Sequence, residues 1–128
     1  MLFSINDCEP RPVYLQIAAA IKEQVRLGKL APGDPLPSVR ELAHDLSINL
    51  HTARHAYQTL REEGVIYLRL GRCARIAPPR SKPATEEDIE SKIAGRLREL
   101  IADAFHLGVS PKQFRSLVDK LLDIENRS

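Results

Sequence analysis

Two of the chain's four histidines, His51 and His55, lie four residues apart in the stretch SINLHTARHAYQTL, residues 47–60. On a helix that spacing puts both imidazoles on one face, where such a pair can hold a transition metal or pass a proton. A metal site needs a third and usually a fourth ligand, and neither an H-E-x-x-H segment nor a Cys cluster accompanies them. Catalysis would need an acid or a nucleophile converging on the same surface, with enough burial to tune a pKa. The apolar positions argue against that burial. Ala53, Ala56, Tyr57 and Leu60 recur at i, i+3, i+4 and i+7 and define the face that packs. At about 100° per residue, His51, His55 and Gln58 then point away from it, with Arg54 on the flank. What is left is a solvated polar face or a surface that meets a partner.

The flanking elements weigh one against the other. In PVYLQIAAAIKEQVRL, residues 12–27, Val13, Ile17, Ile21 and Val25 stand at helical spacing with Leu15 beside them; Pro12 suits a first helical position and Gly28 a stop. KLAPGDPLP, residues 29–37, has three Pro and one Gly in nine residues and predicts an ordered loop or a short extended stretch. In Ser38-Val-Arg-Glu41 the Ser hydroxyl can accept from the N3 amide while Glu41 reaches back to the N-cap amide. A second helix therefore starts there, with Val39, Leu42, Ala43 and Leu46 inward. Residues 47–50 connect it to a third helix, from about residue 51 to 63, ended by Gly64. Two helices joined by about four residues form the helix-turn-helix pattern, in which the outward face at the start of the second helix enters a major groove of DNA. Residues 65–68 and 74–77 predict a hairpin turning at Gly71-Arg72, the wing of a winged helix.

PPRSKP, residues 78–83, reads as a stiff charged linker. Three segments result: a winged helix-turn-helix over 1–77, a linker over 78–84, and a helical tail over 85–128. In the tail, Thr85-Glu-Glu-Asp88 has a capping arrangement with acids in the first turn, and Ile89, Ile93, Leu97, Leu100, Ile101, Ala104 and Phe105 follow one stripe. After Gly108, Ser110 as N-cap, Pro111 and Gln113 start another helix, with Phe114, Leu117, Val118, Leu121 and Leu122 inward. A two-helix hairpin of about 40 residues cannot bury two apolar stripes alone. The tail thus predicts a homodimer held by Ile89, Ile93, Leu97, Leu100, Ile101, Phe105, Phe114, Leu117, Val118 and Leu121. The fold class is mainly α with a small β-hairpin.

Charge divides in the same place. Residues 1–83 hold 12 Lys/Arg against 8 Asp/Glu, and residues 84–128 hold 7 against 9, so a polyanionic partner suits the first part only. Arg69, Arg72, Arg75, Arg80 and Lys82 follow one another with no acid between them. Aromatics make up 5% of the chain and Trp is absent, which disfavours a stacking platform for single strands. Cys8 and Cys73 are too few and too far apart for a disulfide framework or a C-x-x-C motif. Cys73 between Arg72 and Arg75 invites a redox role, although a single cysteine there is ordinarily a passive small residue. Without a secretory leader or 18 consecutive apolar residues, the expectation is a cytoplasmic chain with no membrane partner. The absence of a nucleophile-base pair, a phosphate-cradling Gly loop or a metal cluster argues against an enzyme, and no cofactor or metal is implied.

Leu36-Pro-Ser-Val-Arg-Glu-Leu-Ala43, then Thr52 through Ala56-Tyr57, then Leu60-x-x-Glu-Gly64-Val-Ile66 and Gly71 resemble the DNA-binding domain of GntR-family transcription regulators. PVYLQIAAAIKEQVRLGKLAPGDPLPS resembles that family's first helix and loop, so the likeness runs over about residues 10–78. Asn49, the Ala56-Tyr57 pair and the short tail with FHLGVSPKQFRSLVDKL are similar to the YtrA-type subgroup. The resemblance implies a regulator that binds a palindromic operator in double-stranded DNA as a homodimer, and it favours repression. It assigns Ser38 and Arg40 to the start of the second helix and Asn49, His51, Thr52 and Arg54 to the recognition surface, with Gly71 and Arg72 at the wing. Leu50 stands where Arg or Pro is common, Ser47 where the turn usually has Gly, and Gly71-Arg-Cys-Ala where a second Gly is common. A non-specific architectural DNA binder and a winged-helix interaction adaptor are the alternatives. A small-molecule effector of unknown identity would bind between the tail helices, at the linker or at the dimer interface.

Overall fold

Three helices and an antiparallel hairpin enclose the core of the first of two units, Met1–Pro79 and Arg80–Ser128, into which the computed structural model divides. The structure describes residues 5, 9–68 and 73–126. The first unit comprises α1 (Val13–Arg26), α2 (Val39–Leu46), α3 (Leu50–Glu62), β1 (Ile66–Leu68) and β2 (Ala74–Ile76).

The helix α3 packs against both α1 and α2, and its contact stripe is the expected one: Ala53, Ala56, Tyr57 and Leu60 are all buried. Two alanines at the crossing let neighbouring helices approach closely. Ile17 and Ile21 of α1, Leu42 of α2, Leu60 of α3 and Ile76 of β2 are the largest fully buried side chains. Each stabilises the fold by about 2 kcal/mol relative to exposure. Val13, Val25, Val39 and Leu46 pack around them half-buried, whereas Leu15 is exposed.

Ser38 caps α2 by accepting from the Glu41 amide at 3.1 Å, but Glu41 does not return the bond, so only half of the expected capping box forms. The helix α3 begins one residue earlier than its apolar pattern suggests, because Asn49 takes the N-cap and accepts from the His51 amide at 2.7 Å. The Pro-rich loop after α1 is extended and joins the hairpin as a third segment. Gly33 donates to the Ile76 carbonyl (2.8 Å), Ile76 to that of Asp34 (3.0 Å) and Leu36 to that of Ala74 (2.8 Å), with Pro35 opposite Arg75.

The second unit holds α4 (Glu86–Ile89), a π-helical turn (Glu90–Ala94), α5 (Gly95–His106) and α6 (Pro111–Asn126). Thr85 and Asp88 form a complete capping box, as do Ser110 and Gln113. The Asp88 carboxyl is held below its usual range, first by the Thr85 backbone amide and then by the Arg80 and Lys92 charges. The π turn departs from the single regular helix expected from 85 onward. Ile89, Ile93 and Leu97 recur every four residues, which in an α-helix drifts by about 40° per step; the wider turn at Glu90–Ala94 works against that drift.

Tyr57 ties α3 to the start of α2: its hydroxyl donates to the Pro37 carbonyl at 2.6 Å. Burial pushes the phenol above its usual range, and the nearby Glu41 and Cys73 push the same way. Its stabilising contribution is therefore complete below the ordinary phenol range near pH 10 and is lost as the pH rises from there toward the raised folded value. Tyr57→Phe should cost about 1 kcal/mol in urea unfolding at neutral pH, and the variant's alkaline loss of stability should be shallower than that of the parent chain.

Candidate nucleic-acid interface

The outward side of α3 is built by its inward side. With Ala53, Ala56, Tyr57 and Leu60 buried, His51 and Arg54 are exposed and Thr52 is half-buried on the flank. Arg40, in the first turn of α2, is exposed as well, and among the described residues neither Arg40 nor Arg54 makes an ion pair. Through Arg61, α3 carries no acidic residue. This surface offers donors and positive charge, which suits a phosphate backbone and the acceptor-rich edges of bases.

Some side chains that the sequence assigns to this surface have structural duties. The Asn49 carboxamide oxygen is committed to the cap of α3, and the Ser38 hydroxyl to the Glu41 amide. His55 is exposed, but its ring does not stand free in solvent as the helical spacing suggests. It stacks on Tyr14 of α1, ring centroids 3.7 Å apart and 13° from coplanar. Helical periodicity sees only one helix, so an aromatic side chain reaching across from α1 leaves no mark in it. Leu50, where the family pattern favours Arg or Pro, lies half-buried against the core at the first position of α3.

Within the basic run, Arg75 donates to the Gly33 carbonyl at 2.8 Å and Arg80 pairs with Asp88 at 3.1 Å, so both serve the fold. Gly71, Arg72 and Arg69 lie outside the described residues, as does Cys8; Cys73 is exposed. Among the described residues no three His, Cys, Asp or Glu side chains come together as a metal-ligand set, and no helix is long and apolar enough to cross a membrane.

In the tail, Ile89, Ile93, Leu97, Leu100, Ile101, Phe105, Leu117, Val118 and Leu121 are exposed, and Phe114 is half-buried. No apolar side chain among the described tail residues is buried. The helices α5 and α6 do not lie along one another; a cleft of about 520 Å³ opens between them, lined by Leu97, Ile101, Phe105, Val109, Phe114 and Val118.

The sequence pattern of bacterial regulatory proteins of the gntR family matches residues 13–76, from the start of α1 to the end of β2. The chain belongs to the GntR family. Its likeness to the HTH-type transcriptional repressor YtrA of Bacillus subtilis (strain 168) extends through the tail, at 33% identity over 120 residues, 94% of this chain and 92% of that one. The crystal structure of a transcriptional antiterminator from Listeria monocytogenes EGD-e superposes with a TM-score of 0.84 at 33% identity, covering 98% of this chain and 93% of that one. AraR(DBD), solved in complex with operator ORE1, superposes with a TM-score of 0.51 at 25% identity, covering 60% of this chain and 94% of that one. This GntR-family chain is accordingly a DNA-binding transcription regulator of the YtrA type with a winged helix-turn-helix, and not an enzyme.

Within the helix-turn-helix of this family member, the turn holds a strained residue. Ser47, where glycine is usual, takes φ 54° and ψ 47°, the left-handed region that a Cβ disfavours. Ser47→Gly should raise stability by about 0.5–1 kcal/mol, the relief of strain outweighing glycine's extra unfolded-state entropy. A higher urea midpoint at unchanged slope would register it.

Proposed function

We propose that this regulator binds a palindromic operator as a homodimer and represses transcription from the cytoplasm. The observation that carries the reading is the exposed, acid-free face at the start of α3, with His51 and Arg54 outward and Arg40 beside it on α2. Arg54 and His51 read base edges. Arg40, Thr52 and the Asn49 amide group hold the phosphate backbone, and Ser38 sets the start of α2. Gly71 and Arg72 extend the contact into the adjacent minor groove. The relative crystallised on an operator supports DNA as the partner, and repression follows the YtrA likeness.

The tail supports the dimer. Exposed residues such as Leu97 (42%), Leu100 (57%) and Phe105 (75%) form an apolar surface that a second copy would cover under two-fold symmetry. On this reading residues 1–77 bind DNA, 78–84 link, and 85–128 dimerise, bringing two recognition helices to half-sites one or a few helical turns apart.

Selection of bound sequences from random duplexes should return one palindrome. On it, Arg54→Ala should cost about 1–3 kcal/mol and on random DNA distinctly less. Equal losses on both would favour the architectural reading. Phe105→Asp should convert a dimer to a monomer in light scattering while the α1–β2 unit keeps its fold; a parent chain that is already monomeric would sink the dimer.

A further inference from the structure

His55 is not accounted for by the recognition surface, and its environment is unusual for an exposed histidine. Tyr14, at the second position of α1, is half-buried and packs against the core that also holds α3. Its ring covers one face of the imidazole, 3.7 Å between centroids and 13° between planes. Stacking takes up a face of the imidazole and leaves its edge, which carries both ring nitrogens and hence the N–H donor. A ring held this way has lost torsional freedom before any ligand arrives, so a contact made by its edge carries little further ordering cost.

The surroundings say what that edge would meet. His55 follows Arg54 and stands one turn beyond His51; α3 carries no acid before Glu62, and the first turn of α1 has none. Ahead of α1, Glu9 is paired with Arg11. The surface thus suits an anion. A phosphate oxygen accepts from imidazole in either tautomer, whereas a base edge demands a particular donor and acceptor pattern. His55 also lies in the second turn of α3, toward the side where α1 reaches over, while the first turn is what leads into a groove.

We infer that Tyr14 is a positioning residue for DNA: stacked on His55, it holds the imidazole edge where it donates to a backbone phosphate, a contact made jointly by α1 and α3 and indifferent to base sequence. The inference rests on the operator reading above.

The full chain is titrated by fluorescence anisotropy against the selected operator and against a random duplex. His55→Ala weakens both by about 10-fold, the loss of one hydrogen bond to a charged group. Tyr14→Ala weakens both by the same factor, the double variant is no worse than either single one, and Tyr14→Phe, which keeps the stack, binds like the parent. Tyr14→Leu removes the ring but leaves a smaller gap should Tyr14→Ala melt early, and it behaves as Tyr14→Ala does. In proton NMR the His55 ring signals lie upfield in the parent chain, return toward ordinary values in Tyr14→Leu, and move when random duplex is added. Parent-like binding by Tyr14→Ala or Tyr14→Leu, additive losses in the double variant, or a His55→Ala loss confined to the operator would each overturn the inference. A parent chain that binds no duplex at all would instead overturn the operator reading.

Discussion

The rotation of α3 about its own axis decides which side chains it shows to solvent, and two methyl groups set that rotation. Ala53 and Ala56 are wholly buried where α1 and α2 pack against α3. A larger side chain at either position would push the neighbouring helices apart, at a cost of about 1–3 kcal/mol by overpacking. The same crossing explains why Leu42, Leu60 and Ile76 can close over one small core. Turning α3 by one residue would carry an alanine into solvent and a histidine or arginine inward, where an unpaired polar group is costly. The outward positions of His51 and Arg54 are thus a consequence of packing, and whatever they touch is held by the core behind them.

Much of this was legible in the sequence because it is periodic. The stripes of α1, α2 and α3, the helix-stopping glycines, the caps at Ser38, Thr85 and Ser110 and the family's residue pattern all repeat or signal at short range. Contacts between distant segments were not legible. The Tyr14–His55 stack joins α1 to α3, and the Arg75 bond to Gly33 joins β2 to a Pro-rich loop. Neither leaves a trace in local spacing, so His55 looked free and Arg75 looked available for phosphate. Asn49 illustrates a third case. Its residue type suits both a helix cap and a base contact, and the backbone around it uses the oxygen for the cap. Nor does apolar spacing in the tail announce a π turn, since residues four apart read as a stripe in either geometry.

The two units meet the problem of small size in different ways. The first has a closed aliphatic core and ties its extremities by specific bonds, such as Lys22 to Glu63 (2.7 Å) between α1 and the end of α3. The second relies on local helix chemistry: two capping boxes, acids in its first turn and the Arg98–Glu90 pair. Local bonds of this kind hold helices as helices but bury little apolar surface.

The extended segment through Pro35 has one more physical effect. Lying against β2, it becomes the outer strand of the small sheet, the place where a row of free amide donors would invite a strand from another molecule. Pro35 and Pro37 have no amide hydrogen, and the donors of Gly33 and Leu36 are already turned inward to Ile76 and Ala74. A strand arriving along that edge finds no continuous row of amide donors, so this side of the sheet does not template pairing with another copy.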